Sequence, residues 1–197
     1  MVEESTQAVP FLPTLRWMAL WLQRQAEGYD YRQAVEKANE TASTSKEMAR
    51  TMICSPEGER LMLTVPVVGG SKRLRSGKVF LNTVPLSDHG NWRHNHLGAF
   101  EACYGRAPYY SHLIPELINI YQKEIFSLQE FNFAILKALS SFIMQDISVG
   151  DLKDIFNSTL IKRRGGELAP LTDPELSVID PLMKFGKETL PVFAAIR

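Results

Sequence analysis

The sequence predicts an α+β fold, with a small β-sheet or hairpin region in the N-terminal half packed against a mainly helical C-terminal half. Three observations carry that expectation. A Pro56, Glu57, Gly58 turn joins two strand-like runs. Between Ser127 and Ile143, apolar residues recur at helical spacing behind a capping pair. The 45% of hydrophobic side chains in 197 residues is enough for one buried core, so the chain reads as a single domain over 1–197. Residues 1–10 read as a flexible N-terminus and residues 165–197 as a C-terminal arm of short elements.

In order along the chain, Pro13 suits a first helical turn, and Leu15, Met18, Trp21 and Leu22 follow at helical spacing until Gly28, which predicts an amphipathic helix over 13–27. From Asp30 to Arg50 the sequence is polar and alanine-rich; it reads as an exposed helix broken near Thr41 to Ser45, or as a mobile segment. Thr51 to Ser55 and Arg60 to Val68 form the hairpin, in which Leu61, Leu63, Val65 and Val67 alternate with Met62, Thr64 and Pro66. Pro66 cannot donate to a ladder, so the second strand lies at an edge or ends there. A basic loop of Lys72, Arg73, Arg75 and Lys78 leads to a strand expected over Val79 to Pro85. Asn91 caps a helix running to Tyr104, with Gly105 as its stop, and another follows Pro108, from Ser111 or Pro115 to Glu124. Ser127 and Glu130 form a capping box ahead of Leu128, Phe131, Ile135, Leu136, Leu139, Phe142 and Ile143. Beyond Gly150 come Leu152, Ile155 and Phe156, then a break at Gly165 and Gly166.

Lysine plus arginine and aspartate plus glutamate are each 22, so no overall field recruits nucleic acid or an anionic membrane. No run approaches the roughly 18 apolar residues of a membrane helix. With no basic, apolar leader at the N-terminus, the expected compartment is the cytoplasm. Cys54 and Cys103 are far apart in sequence and lack metal-ligand or disulfide-framework spacing, so both thiols are expected to be reduced core filler. Neither a nucleophile elbow, nor a dinucleotide fingerprint, nor a P-loop occurs, and no cofactor is implied.

The chemistry-bearing stretch is Asp88, His89, Gly90, Asn91, Trp92, Arg93, His94, Asn95, His96. On a helix, residues two apart point about 160° away from one another, so His94 and His96 cannot share a metal there. Cys103, Trp92, His96, Phe100, Arg93, Tyr104 and Leu97 fall within one arc, while His94, Asn95, Glu101 and Ala102 fall opposite. An imidazole and a guanidinium on a core-facing surface each need partners. They either join a structural hydrogen-bond network or line a polar pocket at the core's edge. His94 reads as a solvated histidine. His89 beside Asp88 suits either a proton shuttle or a plain turn, and a metal reading through His89 and His94 stays open. The basic loop reads as solvated, or as a holder of a phosphate or sugar-nucleotide tail.

An ordered set of motifs resembles one bacterial family. Phe11, Leu12, Pro13 and Trp17 look like its opening Tyr-Leu/Phe-Pro motif, and Leu63 to Val67 with Gly69 and Gly70 like its L-T-V-P-V strand. Trp92, Arg93 and His96, then Tyr104, Gly105, Pro108 and Tyr109, resemble its W-R-x-x-H…A-Y-x-x-x-P-Y/F signature. Leu176, Ser177, Ile179 and Asp180 with Gly186 resemble its closing segment. By this set the chain is identified as a member of the WbqC-like protein family. One departure stands out: where the family carries a Tyr-x-Lys and an Asn-Arg pair, Thr41 to Ser45 and Ala49 occupy the space. Glu40 and Arg50 still match, and Lys46 substitutes for the lysine only from a shifted position.

The resemblance implies a role in modifying surface polysaccharide of the O-antigen type, or its sugar precursors. The expected activity is group transfer on a sugar-nucleotide or glycan intermediate, with His96 as general acid or base and Arg93 holding a carboxylate or phosphate. Trp92 and Tyr104 supply aromatic walls, and Arg50 and Glu40 complete the pocket. The alternative is a non-catalytic scaffold or partner in polysaccharide assembly, which the altered Thr41 to Ser45 region and the sparse nucleophile inventory also fit.

Overall fold

The structure is a computed structural model and describes residues 9–28, 42–43, 46–75, 79–158, 161, 164, 166–167 and 173–196. The first helix, α1 (Leu15–Ala26), starts two residues later than the proline suggests. Thr14 is its cap, its hydroxyl accepting from the Trp17 amide at 3.2 Å, which leaves Pro13 just outside. After it come β1 (Ala42–Ser43), a 3-10 turn (Lys46–Ala49), β2 (Arg50–Cys54), β3 (Arg60–Thr64) and a short helix α2 (Gly70–Arg75). Next are β4 (Val79–Phe80) and a second 3-10 turn (Leu81–Thr83). The helices α3 (Trp92–Tyr104), α4 (Tyr110–Gln122), α5 (Leu128–Ile143), α6 (Val149–Asn157), α7 (Ile179–Phe185) and α8 (Thr189–Ala195) complete the order. The result is α+β, as expected.

Among the described residues two antiparallel ribbons make up the sheet content: β1 with β4, and β2 with β3 in the register Arg50↔Thr64 through Cys54↔Arg60. β3 stops before Pro66, which has no amide hydrogen to extend the ladder. The strand expected over Val79 to Pro85 is only two residues long. Its partner β1 offers just Ala42 and Ser43, and beyond Phe80 the chain turns, with the Thr83 hydroxyl donating to the Phe80 carbonyl. Val84 to Leu86 then bond elsewhere: the Val84 carbonyl accepts from the Leu128 amide at 2.9 Å, and Leu86 bridges Val67.

α5 runs through the core. Its capping box forms, Ser127 accepting from the Glu130 amide and the Glu130 carboxylate from the Ser127 amide. Phe131, Ile135, Leu136 and Leu139 are fully buried along one face. On the same helix, buried Asn132 donates at 2.8 Å to the carbonyls of Val9 and Met48, tying the N-terminal strap to the turn before β2. α4 begins at Tyr110 and carries Pro115 inside it, an earlier start than either proposed position. Residues of the expected C-terminal arm belong to the core: Val178, Ile179, Leu182, Met183, Val192 and Phe193 are sealed from solvent, and α8 packs on α1 and α6.

Candidate functional site

α3 buries Trp92, His96, Phe100 and Tyr104, one residue per turn, and exposes His94, Asn95, Glu101 and Ala102. His96 is 4% exposed. Its ring stacks on Phe11 with centroids 5.6 Å apart and meets the edge of Trp92 at 5.2 Å. Nδ1 lies 3.1 Å from the Tyr121 hydroxyl, and the ring also bonds the Thr64 backbone. Burial pushes the imidazole down to about 4, more than that backbone bond raises it, so the ring is neutral at neutral pH. A neutral ring that donates to the Thr64 carbonyl leaves Nδ1 to accept from Tyr121, whose own burial keeps its hydroxyl protonated.

Arg93 meets the same tyrosine from its other side. Its Nη1 donates to the Tyr121 carbonyl at 2.9 Å, and the guanidinium lies 4.6 Å from the centre of the Trp92 ring and 5.7 Å from that of Phe131. Trp92 is fixed in turn by its indole N–H donating to the Ser87 carbonyl at 2.9 Å. Tyr104, three turns along the stripe, serves a different place: its hydroxyl donates to Asp180 Oδ1, and Lys184 closes on the same carboxylate at 3.0 Å.

Arg50 stands apart from this cluster. The Val65 amide bonds the Ala49 carbonyl and the Ser55 amide bonds the Glu59 carbonyl, so Arg50 with Thr64 and Met52 with Met62 are the closely spaced, non-bonded pairs on one face of the ribbon. That face lies in a cavity of about 480 Å³, whose other walls include Phe11, Leu12, Trp17, Thr51 and Glu175. The half-buried Arg50 side chain has no hydrogen bond or ion pair among the described residues. At the rim Glu175 pairs with Arg16 at 3.2 Å. Leu12 has a left-handed backbone, φ 43°, and its carbonyl accepts from Thr51 Oγ1 at 2.8 Å and Ser177 Oγ at 3.3 Å. Such backbone costs on the order of 1–3 kcal/mol and persists where its surroundings hold it.

A smaller cavity of about 200 Å³ shares Arg50 and is otherwise lined by Ala49, Thr64, Val65, Pro66, Val67, Gly70 and Leu74. His96, Arg93, Trp92 and Tyr104 line neither cavity. The imidazole stands behind both walls, through Phe11 on the larger and Thr64 on the smaller. A third cleft of about 480 Å³, between α1, α6 and α8, is lined by Leu20, Ala26, Phe156 and Phe193, and its charged residues Glu27 and Lys153 offset each other.

The sequence missed Glu175 and Thr51 as cavity residues. Trp17 was visible only as part of the opening motif. Glu40 lies outside the described residues, as does Lys78. Arg73 donates to the Thr83 carbonyl at 3.0 Å, and Lys72 is exposed. His89 and His94 are both exposed, and among the described residues no group of three or more His, Cys, Asp or Glu is arranged to hold a metal ion. Both cysteines are free and half-buried; burial first, then Cys54, Asp180 and Glu57, pushes the Cys103 thiol up. No helix among the described residues is long and apolar enough to cross a membrane.

These elements define an α+β protein whose β2–β3 ribbon carries two cavities beside a helical core. A family model described as the WbqC-like protein family matches residues 39–159, more than half of the chain, and the chain belongs to that family. Phe11, Trp17 and Glu175, on the cavity wall, lie outside the matched span. Neither the curated proteins nor the solved structures yield a match.

Proposed function

We propose that this protein acts on a sugar-nucleotide or glycan intermediate of surface-polysaccharide biosynthesis by group transfer, and that the ligand lies in the cavity beside Arg50. One observation carries the reading. A half-buried guanidinium with no partner among the described residues sits in a concave site with apolar and aromatic walls. A desolvated cation of that kind is stabilised by a phosphate or carboxylate, which it grips in a fork. Trp17 offers an aromatic wall, and Glu175, held by Arg16, is the one carboxylate among the lining residues. In this reading His96 and Arg93 act from behind the wall as positioning residues, setting Phe11 and Thr64.

The test is mass spectrometry of surface polysaccharide from cells with the protein, without it, and with Arg50→Ala. The expected result is one substituent missing in both the deletion and the variant. Unchanged polysaccharide in the deletion would overturn the reading, and full restoration by Arg50→Ala would remove Arg50 from it. A scaffold reading is favoured by a different observation: Leu61 on β3, which points away from the Arg50 face, is 42% exposed. Loss of polymer with every substituent intact would support that reading instead.

A further inference from the structure

The two cavities that share Arg50 differ in size and chemistry. The larger, at about 480 Å³, falls within the usual range for a small-ligand cleft, whereas the smaller, at about 200 Å³, falls below it. The smaller one therefore suits a substituent of a ligand rather than a second ligand. Its walls are Ala49, Val65, Pro66, Val67 and Leu74, all apolar, and its polar groups are Arg50 and Thr64. Apolar walls beside one cation match a short acyl group, whose methyl packs on Pro66 and Val67 while its carbonyl oxygen accepts from the guanidinium. A free carboxylate or a hydroxymethyl group would leave that apolar lining facing a strongly hydrated group.

From this pairing we infer that the protein selects a 2-acylamino sugar carrying a phosphate or diphosphate on the adjacent carbon. The acyl group fills the small cavity, the sugar ring lies in the large one, and Arg50 bonds both the acyl oxygen and the anion. Substituents on neighbouring ring carbons bring an acyl oxygen and a phosphate within reach of one guanidinium. The inference rests on the proposed sugar-ligand site. Thr64 is its specificity residue: it lines the small cavity and shares Arg50's face of the ribbon, while the His96 contact uses its backbone, so side-chain changes at 64 alter the cavity without removing that contact.

Calorimetric titration of the whole chain with UDP-N-acetylglucosamine and with UDP-glucose tests this. The wild-type protein is expected to prefer the acetamido sugar by about tenfold or more, the scale of discrimination that filling a small apolar pocket gives. Thr64→Leu, which fills the cavity, is expected to abolish the preference while UDP-glucose binding persists. The near-isosteric Thr64→Val retains the preference, and Arg50→Ala weakens both ligands. Equal wild-type affinity for the two, or an undiminished preference in a folded Thr64→Leu, overturns the acyl pocket and leaves the sugar site standing. Binding of neither nucleotide overturns the acyl pocket together with the sugar-nucleotide reading it rests on. If Thr64→Leu does not fold, the wild-type comparison alone decides.

Discussion

The Tyr104 hydroxyl donates to Asp180 Oδ1 at 3.3 Å, joining the end of α3 to the start of α7 across 76 residues of sequence. Asp180 is 3% exposed, and Lys184, a turn further along α7, bonds it from the solvent side. Burial, then the Asp180 charge, pushes the phenol far up, so it is a protonated donor at neutral pH. Tyr104→Phe removes the buried donor and keeps the ring, and is expected to cost about 1.5–3 kcal/mol, the range for a hydrogen bond to a charged group. Urea denaturation checks it. In a double-mutant cycle with Lys184→Met the two losses should couple, because both act on one carboxylate; strict additivity would mean that the carboxylate does not link them.

The same two segments meet again at Gly186. Its φ is +55°, and a Cβ built there would overlap the Tyr109 ring. Gly186→Ala is therefore expected to destabilise by more than about 2 kcal/mol, from strained backbone and overpacking together. Tyr109→Ala removes the obstructing ring, so the double variant should be less destabilised than the sum of the singles. Thermal melts of all four proteins test this; a double variant at or beyond the sum would show that the ring is no obstacle.

Local signals made much of this legible. The α3 stripe follows from four-residue spacing, and the α5 start from Ser127 and Glu130 three residues apart, both decided within a turn or two of chain. Contacts made across the fold left no such trace. Nothing in the sequence says that Phe11 lies on His96, or that Asn132 reaches Val9, 123 residues away. The larger cavity draws its walls from residues 10–14, 17, 48, 50–52, 62 and 175, so no single stretch announces it. For the same reason the inward imidazole and guanidinium at 96 and 93 left both network and pocket open in the sequence, with the network favoured. Their shared partner, Tyr121, is on α4 and carried no motif.

Cys103 provides a chemical test of the packing around α3. Burial first, then the charges it meets at Cys54 as that thiol ionises and at Asp180 and Glu57, raise its thiol above the ordinary range. Less thiolate is then present at neutral pH, and the thiolate is the nucleophile. Iodoacetamide labelling followed by peptide mapping should find Cys103 slower than a free model thiol near neutral pH, gaining on it only as pH rises. Labelling at or above the model rate would contradict the acidic surroundings assigned to it.

His96 gives the sharpest dependence on pH. In the unfolded chain the imidazole titrates near its ordinary 6.5, whereas burial lowers the folded value to about 4. The folded state thus binds fewer protons between those limits, and stability must fall as pH falls through that window. The contribution is complete above about pH 6.5, declines below it, and is spent near pH 4; the shift corresponds to about 3 kcal/mol. His96→Gln keeps a side chain able to bond Tyr121 or Thr64 but has no proton to gain there. Denaturation curves for both proteins between about pH 7 and pH 4 separate this term, since the carboxylates common to both cancel in the difference. The wild type should lose stability more steeply than the variant, the gap closing from the acid side. Parallel curves would mean that the imidazole is already hydrated in the native state, and the sealed contact between Phe11 and His96 would have to be abandoned.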